Sequence, residues 1–332
     1  MLTLRQLGMA GAVCAASLAA TTLVARAADY NWDMPTPYAD TEFQTQNTRM
    51  FADDVRRLSD GRIDITVHSA NSLIKNPEIK RAVQLQQVPL AELFISNLSR
   101  EDPVFEIDAI PFFAPSYQDA LKLYQVTKPI MQEKLGEQGL RLLYSVPWPS
   151  QAFFTKEPIE SLADLKGKKM RTYNQQTTKL AELMGVVPTT VQATEIPQAF
   201  STGIIDLMFT SAETGVTTKA WDYTTYVYDT QAWVPKNVIF INKDVYAGLP
   251  DDLKAVLEEA AHIAEVRGWM MSMKSNIEKP QVLAANGMKV SVVPPKLDEE
   301  LKAVGQKMVE AWEARAGEEG KKIIEAYRSI DY

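Results

Sequence analysis

Apolar and polar positions first alternate in Tyr30-Asn31-Trp32-Asp33-Met34, which predicts a strand that Pro35 and Pro37 bring to a stop. Apolar Phe43, Met50, Phe51, Val55 and Leu58 then recur at helical spacing and predict an amphipathic helix from Thr41 to Leu58. Asp60-Gly61 turns the chain into Arg62–His68, which alternates strictly, as a half-buried strand does. A helix over Asn76–Gln86 with Pro77 in its first turn follows, and then a short apolar strand over Leu90–Ile95. The β-α-β-α-β order predicts a mostly parallel sheet flanked by helices, and so an α/β fold class.

Further on, Asp108–Phe113 reads as an apolar loop, and Ser116–Leu135 as a helix that Pro129 breaks or restarts. Strands at Gly139–Val146 and Gln151–Thr155 flank Pro147-Trp148-Pro149, a candidate crossover between domains. The polar turn Asp164-Leu165-Lys166-Gly167 leads into a short strand that delivers Arg171 beside Tyr173 and Asn174, and a helix from Thr177 to Gly185 comes next. Val191-Gln192 reads as strand, Thr194 starts a helix with Phe200 near its end, and Gly203–Phe209 is a buried strand ending in Thr210-Ser211. Trp221–Trp233 is crowded with aromatics, and Trp233-Val234-Pro235-Lys236-Asn237 is the second candidate crossover. Val238–Asn242 is a strongly apolar strand, Pro250–Met273 one long helix, and Gly287–Val293 a last strand before two polar amphipathic helices.

Composition narrows the picture. With 332 residues, 46% of them hydrophobic, the chain can build a large core or two domains. A net charge of -7 with mixed-sign surfaces argues against a nucleic-acid footprint. Residues 1–27 read as a signal peptide: Arg5, an apolar run from Leu7 to Val24, then the small-residue cleavage site Ala25-Arg26-Ala27. Without Arg5 and Arg26 the balance is 33 basic to 42 acidic residues. The only cysteine, Cys14, falls inside that segment, so the mature chain has no thiol, which suits an oxidising periplasm.

Enzyme signatures are missing. No glycine-rich dinucleotide or phosphate loop and no G-x-S-x-G elbow occurs, and neither His68 nor His262 has a partner at triad or metal spacing. The expectation is therefore no cofactor, no metal and no catalysis. What remains is a set of polar groups read at strand C-terminal ends: Ser96, Asn97, Gln151, Arg171, Asn174, Thr210 and Ser211, with Tyr38, Phe112, Trp148 and Trp233 supplying aromatic surface and Asn237 closing the second crossover. In open α/β sheets ligands bind at that edge. A guanidinium there is a planar fork suited to a carboxylate. The competing reading is a secreted hydrolase or lyase.

The most specific runs are Ser161-Leu162-Ala163-Asp164-Leu165-Lys166-Gly167-Lys168-Lys169-Met170-Arg171, the segment E-I-P-Q-A-F-S-T-G-I-I-D from Glu195 to Asp206, the strand Val238–Asn242 with Lys243, and the Leu249-Pro250 helix start; Ile110-Pro111-Phe112-Phe113 also fits. Together they make the chain resemble the DctP-like solute-binding subunits of tripartite ATP-independent periplasmic (TRAP) transporters over essentially all of its mature length. The resemblance implies two α/β lobes, each a mostly parallel sheet flanked by helices, a long helix spanning both, and a cleft for a small organic acid. It divides the chain into a first lobe of 28–148 plus 237–275 and a second of 149–236 plus 276–332, with hinge crossings near 147–150 and 234–238. It makes Arg171 the carboxylate ligand and gives Tyr38, Ser96, Asn97, Gln151, Asn174, Thr210, Ser211, Trp233 and Asn237 to the same cleft. Thr210 stands where the family often has Asn, Pro35 replaces a polar residue, and Gln151 stands where sialic-acid receptors carry a second Arg, which removes a positive charge, speaks against a sialic acid ligand and favours a neutral hydrogen bond at that end. The implied partners are the acid and the membrane subunits of the transporter, and the receptor itself is a periplasmic monomer outside the membrane. A receptor for an ATP-driven importer is the neighbouring alternative.

Overall fold

The computed structural model describes residues 27–330. The signal-peptide reading falls on residues 1–26, outside the described residues, apart from Ala27. The first strands, β1 (Tyr30–Pro35) and β2 (Ile63–His68), pair in parallel across helix α1 (Phe43–Leu58), as the alternation predicts. Helix α2 (Ile79–Gln84) leads to β3 (Leu90–Phe94), which lies beside β1. The parallel pattern stops there. β3 and β4 (Leu140–Pro147) both pair antiparallel with β10 (Lys236–Asn242), which arrives from far along the chain and inserts between them.

A second sheet holds six strands in the order β11-β9-β5-β8-β6-β7. Its members are β5 (Gln151–Thr155), β6 (Lys169–Thr172), β7 (Val187–Thr190), β8 (Leu207–Ser211), β9 (Tyr226–Asp229) and β11 (Lys289–Val292). β6 runs parallel to β7 and β8, with α4 (Gln175–Met184) and α5 (Ile196–Ser201) as crossovers, while β5 runs antiparallel to β8 and β9. Each sheet group thus contains one strand of opposite sense, β10 in the first and β5 in the second, and each is the strand that enters from the other group. The aromatic crowd before the second crossover includes β9, and the strand read at Val191-Gln192 lies four residues earlier, as β7.

Long helices back the sheets, and two of them reach both groups. α3 (Tyr117–Glu137) runs unbroken through Pro129, because Leu123, Tyr124, Thr127, Met131 and Leu135 stay buried on one face on both sides of it. A proline interior to a helix costs about 3 kcal/mol, less than that packing returns. α8 (Asp251–Ala285) continues through Pro280, well past Met273; at 35 residues it is about 52 Å long. Its first half packs on α1 and β4, its second half on α6 (Ala212–Thr217) and β11. At Gly268 the contact is closest: a Cβ there would sit 2.5 Å from Val146 Cγ2 and 2.8 Å from Asn47 Nδ2. After α7 (Lys243–Ala247) and α8, α9 (Pro295–Ser329) is two helices meeting at Gly317, whose φ of 57° only glycine adopts without strain. α9 reaches both groups: Trp312 Nε1 donates to Pro103 O at 2.7 Å, and Glu300 Oε2 accepts from the Leu162 amide at 2.7 Å.

Candidate functional site

The two crossings lie side by side. The Trp148 amide donates to Pro235 O at 2.7 Å, the Gln151 amide to Trp233 O at 3.1 Å, and the Ala232 amide to Gln151 O at 3.3 Å. Above them a cavity of about 60 Å³ is walled by residues from both sheet groups. Arg171, Gln151, Thr210, Ser211, Tyr38 and Asn97 line it, as do Pro37, Asn76, Phe94, Trp148, Tyr173, Gln192, Ala193 and Thr214.

One wall comes from strand ends. β6 and β8 are parallel, so Arg171 and Thr210-Ser211 emerge at the same sheet edge. Gln151 begins β5 rather than ending it. Because β5 is antiparallel to β8, its first residue pairs with Ser211, the last of β8, and so reaches that edge all the same. Arg171 is only 4% exposed. Its Nε donates to Val191 O at 3.0 Å and its guanidinium carbon lies 4.9 Å from the Tyr173 ring centre. No carboxylate ion-pairs with it among the described residues. Burial pulls its pKa down to about 10, opposed by the nearby Tyr173, Tyr223 and Tyr38 hydroxyls and Glu42, so it stays protonated at neutral pH. Tyr173 donates its hydroxyl to Gln151 Oε1 at 3.2 Å, and Gln151 Nε2 donates to Pro149 O at 2.9 Å, which fixes the amide's orientation. Ser211 caps α6 by accepting from the Thr214 amide at 3.2 Å.

The opposite wall is aromatic. Tyr38 and Trp148 meet edge to face at 4.9 Å, and Phe94 meets Tyr173 the same way at 5.6 Å across the seam. Behind them lies a fully buried polar network. Asn237 Oδ1 accepts from Tyr38 Oη at 3.0 Å and Trp148 Nε1 at 2.9 Å, while its Nδ2 donates to Glu92 Oε1 at 2.7 Å. Thr36 and Thr48 donate to the other Glu92 oxygen at 2.6 and 3.2 Å. Burial raises the Glu92 pKa against the pull of those bonds.

Four of the residues assigned to the cleft from sequence stand back from the cavity. Asn237 works from the second layer. Trp233 is 1% exposed and packs on Phe209 at 5.2 Å. Asn174 caps α4, accepting from the Thr177 amide at 2.9 Å, and donates across the seam to Ser96 Oγ at 2.6 Å, so these two latch the walls rather than line them. Asn76 and Gln192 make a second latch at 3.0 Å, at the rim of the cavity. Their sequence signal, a lone amide at a helix start and another at the end of a short strand, is too weak to have singled them out. His68 is paired with Asp33 at 2.6 Å, and neither it nor His262 lines the cavity. Among the described residues no cluster of three or more His, Cys, Asp or Glu could hold a metal, and no helix is long and apolar enough to cross a membrane.

The family model of bacterial extracellular solute-binding protein, family 7 (DctP) matches residues 36–316. The chain is similar to DctP7, a Bordetella pertussis extracytoplasmic solute receptor binding pyroglutamic acid, at 44% identity and a TM-score of 0.89 over 90% of this chain and 99% of that one. It is also similar to a TRAP solute-binding protein specific for pyroglutamate from an unidentified marine metagenome microbe, at 38% identity and a TM-score of 0.89 over 90% and 99% of the two chains. The C4-dicarboxylate-binding periplasmic protein DctP of Rhodobacter capsulatus is 24% identical over 220 residues, 63% of this chain and 64% of that protein, so the chain spans just under two thirds of that relative's length.

Proposed function

This chain belongs to the bacterial extracellular solute-binding proteins of family 7, the solute receptors of TRAP transporters, and on that premise we propose that its cavity closes on a compact cyclic carboxylate of the pyroglutamate class. The observation that carries the reading is Arg171: a guanidinium 4% exposed, on a cavity wall, with no carboxylate among the described residues paired to it. A buried charge without a partner is costly, and a ligand carboxylate relieves that cost through two charge-assisted hydrogen bonds. Gln151, Thr210 and Ser211 add neutral donors and acceptors at the same edge, suited to a lactam amide and its carbonyl. The aromatic wall of Tyr38, Trp148 and Phe94 suits the ring. The size agrees: about 60 Å³ corresponds to roughly four to six water-sized volumes, too few for an extended sugar acid. The similarity at 44% identity to a receptor binding pyroglutamic acid supports the same class.

The lobes divide as 28–148 plus 237–275 and 149–236 plus 276–332, with the paired crossings near 147–150 and 234–238 as hinges. Ligand contacts from both lobes stabilise the closed form, and the membrane subunits receive the solute from it. Export follows cleavage near Ala27 and delivers the receptor to the periplasm. The lining holds no histidine or carboxylate to serve as a base, which favours a receptor over a hydrolase or lyase. Calorimetric titration with L-pyroglutamate, proline and succinate tests the reading. Saturable one-to-one binding of pyroglutamate, with proline and succinate far weaker, is expected; tight succinate binding with none for pyroglutamate overturns it.

A further inference from the structure

Outside the cavity lining, two more carboxyl groups are buried at the seam. Glu42, the residue before α1, is 3% exposed, and Glu213 on α6 is 1% exposed. They come from opposite lobes. Thr217, four residues after Glu213 on the same helix, donates to Glu42 Oε1 at 2.6 Å. Residues four apart share a helix face, so this bond holds the Glu42 carboxyl over the face that presents Glu213. Glu213 Oε2 is taken by Ser275 Oγ and by Lys279 Nζ, the latter at 3.2 Å. The other oxygens, Glu42 Oε2 and Glu213 Oε1, are both buried and meet no hydrogen-bond partner among the described residues. Lys279 pairs with Glu213 and not with Glu42, so two buried carboxyl groups share one directly bonded ammonium, an arrangement that is costly when both are ionised. One proton removes one of those charges and supplies the missing donor.

The surroundings push the same way. Burial, then the charge of Glu213, raise Glu42 to about 8; the Thr217 bond and Lys279 pull down, and Glu92 on β3 adds a small upward push. Arg171 and Tyr38, on the cavity side, also feel the Glu42 charge. We propose that closing the lobes binds one proton between Glu42 and Glu213, so that solute capture is coupled to proton uptake. In the open form Glu42 meets water and ionises in the ordinary glutamate range. On closure its carboxylate takes a proton from solvent and becomes a carboxylic acid whose O–H donates to Glu213 Oε1. The sign follows from the raised value in this structure, where the Thr217–Glu42 bond joins the two lobes as they would be joined on closure. The benefit to closure is complete below the open-form pKa and shrinks through the neutral range. It is gone above about 8.

The inference rests on the two-lobed receptor reading, so its test has two arms. The first is titration with L-pyroglutamate in buffers of different ionisation enthalpy. Wild type is expected to take up about one proton per solute near neutral pH, with Kd rising by up to tenfold per pH unit towards 8. Glu42→Gln is expected to take up none and to keep one Kd across the range; Glu213→Gln should likewise flatten the profile. A pH-independent wild-type Kd, or a dependence on sodium ions in place of pH, overturns the inference while leaving the receptor reading intact. The second arm needs no solute: fluorescent labels on cysteines introduced on α1 and α4 report the closed fraction. That fraction should rise from pH 8 to pH 6 in wild type and stay level in Glu42→Gln, and a level wild-type signal overturns the inference even if pyroglutamate is not the ligand.

Discussion

The two walls of the cavity solve different problems. The strand-end wall exposes one full charge, Arg171, steadied by a single backbone carbonyl and the face of Tyr173. The aromatic wall presents no charge, yet it is backed by the densest buried polar network at the site, running from Tyr38 and Trp148 through Asn237 to Glu92. The first wall holds a buried charge that pairs with no carboxylate among the described residues. The second is compensated already, and its polar atoms serve to fix two rings. Affinity should therefore sit mainly in one wall, and folding stability in the other.

The largest expected effect sharpens that contrast. Arg171→Met should cost about 3–5 kcal/mol of binding, on the order of a hundred- to a few-thousand-fold in Kd. The solute-free protein should melt at or above the wild-type temperature, since a lone buried charge is removed. Calorimetry paired with thermal melting reads both, and a variant that loses stability together with affinity breaks the contrast. Next comes Asn237→Leu, which strands the Tyr38 hydroxyl, the Trp148 N–H and one Glu92 oxygen. A loss of about 3 kcal/mol in urea unfolding is expected, with a smaller change in Kd than at Arg171. Gly268→Val tests what joins the walls: with Val146 and Asn47 already within 3 Å of a Cβ, overpacking should cost about 2 kcal/mol of stability by the same measurement. The smallest effect is Thr210→Val, the loss of one neutral hydroxyl from the charged wall. About 1 kcal/mol, or roughly fivefold in Kd, is expected with no change in melting.

Much of the frame was legible from periodicity. The strand that carries Arg171, the helix after it and the polar ending of β8 follow from local pattern, because parallel β-α units keep their polar ends on one edge. The antiparallel strands were not, since alternation gives a strand but not its neighbour's direction. That is why Gln151 reached the right edge from the start of a strand and not from its end. Pro129 reads as a break, and the long helix reads as ending at Met273, because the packing that carries both helices on lies far away in sequence. Glu42, Glu92 and Glu213 left no signal at all: a glutamate near a helix start or on a short strand looks solvated until tertiary contacts cover it. Trp233 and Asn237 carried the right composition for a pocket, and their distance from it is a matter of layers that spacing does not encode.

Trp148 stands in both the cavity wall and the first crossing, its indole bonded to Asn237 and its ring between Tyr38 and Phe43. For the history of the protein this is a constraint. On the proposed reading, a substitution there would change ligand fit and lobe movement at one stroke. Drift towards a new solute has a freer path through Thr210, whose side chain is held by no such bond. Receptors that diverge from this chain should differ first on the β8 side and keep the tryptophan.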